Sequence, residues 1–164
     1  MAQISPYIEH PKRLTDVIAL LQVMGTYRYA NRKIENWEKT MGRSPVSAKT
    51  WSKVIDEHPE FFRLKDGLAI LMWRRSYDRT FDPDTGKTYT TEDLEKFEAL
   101  PEEDQPSLTR QALSPSQIAT LIESAIKIHA AAIAHSQEMR WRVPVLAGIL
   151  GILLGAVLNG YKAF

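Results

Sequence analysis

Basic side chains gather in the first half of the chain in a pattern that suits contacts with phosphate groups. Lys49 and Lys53 lie on a short helical pattern, Arg43 precedes it, and Arg63 and Lys65 come directly before an Asp-Gly turn. Lys and Arg collected on one surface supply the electrostatic part of nucleic-acid binding. The candidate partner or nucleic-acid surface comprises Arg43, Lys49, Lys53, Arg63, Lys65, Arg74 and Arg75.

Acidic side chains interrupt this basic set. Asp56, Glu57 and Glu60 follow the two lysines, and Asp66 stands at the Asp-Gly turn. The net charge of the chain is only +1, with a mildly basic first half and an acidic stretch at 82–113. The same cations therefore also suit an ordinary solvated surface around a protein-docking domain.

Residues with the spacing needed for catalysis or metal binding are lacking in the sequence. There is no cysteine, no phosphate-binding glycine loop and no nucleophile elbow. His129 and His135 are six positions apart, which places them on opposite sides of a helix. Asp82 and Asp84 begin a calcium-like loop that has no closing Glu. We therefore predict no enzyme activity, no metal and no cofactor.

An uncharged apolar stretch at 143–160 is typical of a membrane-spanning helix. Trp141 and Tyr161 flank it and would lie about 30 Å apart on a helix, close to the thickness of the hydrocarbon layer. Arg140 and Arg142 stand at one end and Lys162 at the other. We expect these five residues to act as interfacial anchors.

Small residues recur every four positions along this stretch. Ala147, Gly151 and Gly155 are followed at the same spacing by the amide of Asn159. Such a stripe lets two helix backbones approach closely in a bilayer. It predicts packing against a second copy or another membrane subunit, whereas a plain lipid anchor is the alternative.

The beginning of the sequence lacks the basic and apolar regions of a signal peptide. The expected topology is therefore a single-pass, tail-anchored protein with its N-terminus in the cytoplasm. The arginines on the N-terminal side of the stretch agree with this orientation.

Helical periodicity dominates the part of the chain that precedes the membrane stretch. Apolar residues at three- and four-residue spacing predict helices over 14–24, 27–41 and 48–58. Gly42 is a candidate C-cap for the second helix, and Ser47 is a candidate N-cap for the third.

A β-hairpin is predicted directly after these helices. Asp66-Gly67 separates two apolar, aromatic-rich runs at 61–64 and 68–73. Two or three helices followed by such a hairpin resemble a winged-helix module over about residues 12–76. The resemblance implies that the third helix and the hairpin contact DNA or a protein partner, and the fold alone does not decide between them.

The second half of the chain reads as a linker followed by one long helix. Thr90 suits the cap of a short helix that ends before Pro101, and Ser114 with Gln117 has capping-box spacing. The pattern predicts helix from there into the membrane, with Pro144 bending it at most. A coiled-coil-like seam would comprise Ile118, Leu121, Ala125, Ile128 and Ala132.

The predicted organisation is thus mainly α with one β-hairpin. Its parts are an extended lead-in at 1–11, a winged-helix-like cytosolic head at 12–81, an acidic linker at 82–113, a helical stalk at 114–142, the membrane helix at 143–160 and a tail at 161–164. The leading hypothesis is a membrane-anchored, non-catalytic interaction protein, such as an accessory subunit of a membrane complex or a homo-oligomer. The alternative is a membrane-tethered winged-helix DNA-binding regulator.

Overall fold

The computed structural model describes residues 5–101, 103 and 105–161, and the side chains at 139–143, 145–146 and 149–161 lie outside the description. The described chain combines α-helices with a small three-stranded sheet and ends in one long helix. The helices are α1 Pro6–Glu9, α2 Arg13–Thr26, α3 Ile34–Met41, α4 Trp51–Asp56, α5 Met72–Arg75, α6 Thr91–Glu98 and α7 Pro115–Tyr161. The strands are β1 Asn31–Lys33, β2 Phe62–Lys65 and β3 Leu68–Leu71. The prediction of an extended lead-in is wrong at α1, because Pro6 suits the first helical position and Tyr7 is buried in the core.

The predicted hairpin is confirmed. Strands β2 and β3 pair in antiparallel register, with Lys65 opposite Leu68. Asp66 and Gly67 both have positive φ, as a tight turn between twisted strands requires. The second strand ends at Leu71 rather than at Trp73, because the chain turns there into α5.

The prediction of a helix over 27–41 is wrong in its first half. Residues 31–33 form β1, which pairs with the free edge of β3 and gives the strand order β1-β3-β2. Pairing satisfies backbone groups of β3 that would otherwise lack partners, and this tertiary gain outweighs the helical pattern. Only α3 remains helical, and Gly42 in the left-handed conformation ends it as predicted.

The third predicted helix is shorter than expected, and its cap is a different residue. Helix α4 begins after Thr50, whose hydroxyl accepts the Lys53 amide. Ser47 instead donates its amide and hydroxyl to the buried carboxylate of Asp16, at 2.8 and 2.5 Å. The preceding loop is therefore held against α2 and does not join the helix.

The head and the long helix share one hydrophobic core. Buried side chains of α2, α3, α4 and the sheet meet three side chains from the start of α7: Ile118, Leu121 and Ala125. The capping box between Ser114 and Gln117 begins α7, as predicted. Ile128, although part of the predicted seam, is 39% exposed, because the face that contacts the head follows the helical period.

Helices α2 and α7 approach each other closely at Gly25. A Cβ atom at this position would lie 3.0 Å from Cγ1 of Ile118. The Gly25 carbonyl also accepts a hydrogen bond from the Leu113 amide, at 2.9 Å. The glycine thus allows the long helix to begin directly on the head.

The segment before α7 is also tied to the head. Phe81 forms isolated β-bridges with Thr88 and with Thr109. The predicted short helix is confirmed as α6, with a capping box between Thr90 and Asp93. The Asp82 side chain accepts the amides of Asp84 and Thr85, so this carboxylate closes a turn.

The C-terminal helix is long and apolar enough to cross a membrane, by its length and composition. Among the residues whose side chains are described, the stretch long and apolar enough for this is Pro115–Glu138, and most of its side chains are not buried. The backbone remains helical through Pro144 to Tyr161, which confirms the prediction of one continuous helix. Its full length is about 70 Å.

Arg74 is fully buried and holds three segments together. All three nitrogens of its guanidinium group donate to main-chain carbonyls, at 2.6–3.4 Å. Burial lowers the pKa of Arg74 to about 10, so the side chain stays charged at neutral pH. The accepting residues are Met24, Tyr27, Arg28, Tyr29, Arg110 and Gln111.

Replacement of Arg74 by Leu should lower the free energy of unfolding by about 3 kcal/mol or more, because several buried carbonyls lose their donor. The matched control is Arg75→Leu at the exposed neighbouring position, which should change stability by about 0.5 kcal/mol or less. Chemical denaturation of the full chain in mild detergent, followed by circular dichroism, measures both. Equal losses would show that the buried hydrogen bonds contribute little.

Replacement of Gly25 by Val should destabilise the head by about 1–3 kcal/mol, because the new methyl groups collide with Ile118. Gln22→Val places the same β-branched residue on an exposed position of α2 and serves as the control. Adding Ile118→Ala to Gly25→Val should recover part of the thermal midpoint. If the double variant loses as much stability as the two single variants lose together, the two positions are not coupled and this contact is absent.

Candidate functional site

The face of the sheet that points away from the core carries a row of polar and basic residues. Ile70 at the centre of β3 has Asn31 on one side and Arg63 on the other. Two residues along the same strand, Leu68 lies beside Lys65. Alternate residues of a strand point to opposite faces, so these side chains share a face while Ala69 and Leu71 are buried in the core.

A concave pocket of about 300 Å³ lies over this face. Its other wall comes from the chain that follows β3 and from the segment before α7. Leu68 and Ile70 are its apolar residues, and Asp66 is its acidic one. The five cations in the lining are Arg63, Lys65, Arg75, Arg79 and Arg110.

Positive charge in this pocket is poorly compensated. Among the residues that the structure describes, no ion pair involves any of these five cations. Burial lowers the pKa of Arg110, and the nearby charges of Arg79 and Arg75 lower it further, with Asp78 opposing them. Cations that depress one another's pKa values create a site that favours an anion.

The fold positions the pocket arginines through main-chain contacts. Arg74 points into the core from α5, and its neighbour Arg75 is exposed. Nε of Arg110 donates to the Tyr77 carbonyl at 2.8 Å, while the Arg110 carbonyl accepts from Arg74 at 2.6 Å. Arg110 is thus fixed at both its side chain and its backbone.

The structure brings together only part of the basic set predicted from the sequence. Arg63, Lys65 and Arg75 line the pocket, whereas Arg43, Lys49 and Lys53 do not. Lys53 instead lies 3.6 Å from the Glu57 carboxylate, one turn along.

The inclusion of Arg74 in an exposed surface is wrong, because its charge serves the buried carbonyls around it. Arg79 and Arg110 complete the pocket and were missed. Arg79 lies four positions after Arg75, and this local clustering of arginines is a weak indication that it belongs to the same basic site. Arg110 follows an acidic stretch that gives no sign of a basic site.

A second polar cluster, absent from the predictions, lies between α1, the end of α4 and α7. Nδ1 of His58 is 2.8 Å from the Glu60 carboxylate, and the rings of His58 and His129 both contact Tyr7. Within the part of the chain that the structure describes, the Tyr7 hydroxyl and His58 Nε2 have no hydrogen-bond partner. Burial and the charge of Glu60 raise the pKa of Tyr7, against an opposing effect of Arg13. His58 is only 1% exposed, so this cluster joins α1, the end of α4 and α7 from within the core.

Several predicted membrane residues lie outside the described part. These are Lys162 and the side chains of Arg140, Trp141, Arg142, Asn159 and Tyr161. Ala147 is exposed on the described helix, and Gly151 and Gly155 lie on its helical backbone. Their packing therefore stays a prediction.

The pocket is suited to binding an anion, since its lining consists of five cations, one amide, one exposed carboxylate and two apolar side chains. No group of three or more metal-binding side chains occurs in the described residues. No protein-family model, no curated protein and no solved structure matches this chain.

Proposed function

We propose that this chain is a membrane-anchored, non-catalytic interaction protein, such as an accessory subunit of a membrane complex. The observation that carries the proposal is that one helix belongs to both the head and the apolar C-terminal part. Leu121 and Ala125 of α7 are buried in the core of the head, and the same helix continues to Tyr161. A head built onto its own anchor is held at a defined height and orientation.

The head of this proposed protein is winged-helix-like and carries the basic pocket as its docking site. Helices α2 to α4 followed by the β2–β3 hairpin support the resemblance. The uncompensated cations suit an anionic group on a partner or ligand. The head lies in the cytoplasm in this proposal, because Arg140 and Arg142 precede the apolar stretch.

Helix packing in the bilayer is the second part of the proposal. The stripe of Ala147, Gly151, Gly155 and Asn159 faces a second copy or another membrane subunit. Close approach of backbones at the two glycines would provide the contact, and the Asn159 amide would add a hydrogen bond across it.

Deletion of 143–164 should move the protein from the membrane fraction to the soluble fraction of disrupted cells, because the deletion removes the apolar stretch that inserts. Full-length protein should resist extraction by alkaline carbonate and dissolve only in detergent. Full-length protein in the soluble fraction would refute membrane anchoring.

The matched control keeps the apolar stretch and changes only the stripe. Gly151→Leu with Gly155→Leu should leave membrane insertion intact while it weakens co-purification of the tagged and untagged chain or of a membrane partner. Unchanged co-purification would leave the anchor in place and remove the packing face from the proposal.

A membrane-tethered DNA-binding regulator is the second candidate. Arg63 and Lys65 of the hairpin, exposed beside Arg75 and Arg79, favour it. The pairing of Lys53 with Glu57 on α4 weakens it, because the candidate recognition helix then offers less free positive charge.

DNA binding predicts a salt-dependent affinity of the full chain for duplex DNA. Changing Lys49, Lys53, Arg63 and Lys65 to Ala should weaken that affinity. It should also reduce the dependence on salt, because binding with fewer phosphate contacts releases fewer counterions from the DNA. Fluorescence anisotropy of a labelled duplex in detergent measures it. No binding at low salt would exclude this function.

A further inference from the structure

We propose that the pocket on the outer face of the sheet binds a small, soluble organic molecule that carries two or more phosphate groups. The inference deepens the proposed function and rests on it only for the position of the head relative to the membrane. The ligand would place its phosphates among the arginines and its organic part on the apolar floor.

The charge of the site favours a multivalent anion, even with Asp78 near Arg110 offsetting part of it. Four guanidinium groups and one ammonium group face Asp66 as the one acidic side chain of the lining. A phosphate monoester carries a charge of about −1.5 to −2. Two phosphate groups can therefore neutralise the positive charge of the lining that the single carboxylate of Asp66 leaves over. Guanidinium groups also match phosphate oxygens in bidentate geometry.

The shape of the site favours a compact ligand over a long polyanion. About 300 Å³ is at the lower end of the range for small-molecule sites. A nucleic-acid strand needs cations that follow its backbone along a groove. Here the cations converge on one concavity, and the exposed Arg43 and Lys49 lie outside it.

An apolar floor gives the organic part of the ligand a surface to lie on. Leu68 is 38% exposed and provides most of this floor, and Ile70, only 9% exposed, lies two residues along β3 on the same face. The amide of Asn31 borders the same floor and can both donate and accept hydrogen bonds. A bare phosphate ion would leave these groups unused.

The location of the pocket favours a soluble ligand over a lipid headgroup. Arg110 bonds to Tyr77, whose hydroxyl accepts from Gln117 at 2.5 Å, so the pocket is tied to the first turn of α7. The apolar stretch begins at Val143, about 40 Å further along this helix. With α7 upright, the headgroups around the anchor are out of reach of the pocket.

The test measures binding of ATP, tripolyphosphate and adenosine to the full chain in mild detergent, by isothermal titration calorimetry at physiological ionic strength. ATP should bind more tightly than tripolyphosphate, and adenosine should not bind. Equal affinities of ATP and tripolyphosphate would overturn the role of the apolar floor. Absence of binding by both phosphates would overturn the proposal.

Charge-matched variants show whether the binding belongs to this pocket. Arg75→Gln with Arg79→Gln should weaken ATP binding about tenfold or more, because hydrogen bonds to charged groups are lost. Arg43→Gln with Lys49→Gln removes the same charge outside the pocket and should change affinity less than twofold. Equal weakening by both pairs would show that the attraction is non-specific. Arg63→Gln with Lys65→Gln replaces the first pair if that pair lowers the thermal midpoint.

Two further binding measurements test whether the phosphate groups belong to a lipid or to a nucleic acid instead. Binding to anionic lipid vesicles or to duplex DNA without binding to ATP would overturn the inference in favour of those ligands. The calorimetry does not depend on membrane insertion. A chain that binds ATP but fractionates as soluble would therefore refute the proposed function and leave the pocket assignment standing.

Discussion

The buried positive charge of Arg74 is the constraint on which the rest of the head depends. A guanidinium removed from water is costly unless its donors are satisfied. In the described chain, Arg74 has no carboxylate partner and relies on main-chain carbonyls from two stretches distant in sequence. The end of α2 and the residues before α7 must therefore both reach it. These contacts hold the chain just before α7 near the end of α2, where Ile118 and Leu121 of α7 then enter the core.

The same constraint shapes the basic pocket. Since Arg74 points inward, Arg75 is left exposed, and the carbonyl that Arg110 gives to Arg74 places Arg110 beside it. The Arg110 main chain thus belongs to both the core and the pocket. In the core, Arg74 has its donors satisfied by carbonyls, whereas the pocket cations form no ion pair within the described residues. Tyr77 connects the pocket to α7, because its carbonyl accepts from Arg110 and its hydroxyl accepts from Gln117.

Prediction from the sequence succeeded where the signal was local. The Asp66-Gly67 turn, the Gly42 C-cap and the capping box at Ser114 were all recognised, because each depends on residues within a few positions of one another. It failed at β1, where a helical pattern was overridden by pairing with β3. It also failed at Ser47, which a buried carboxylate of another helix takes as its partner.

By itself, the sequence determined the long apolar C-terminal helix, the hairpin, the end of α3 and the starts of α6 and α7, because composition and local hydrogen bonding suffice for them. Only the tertiary structure decided which cations serve the core and which remain exposed. Arg74 and Arg75 are equivalent neighbours in the sequence, yet one is buried and the other is exposed. Asn31, Arg63 and Arg110 meet in one pocket only because strand pairing and the bonds of Arg74 bring distant segments together.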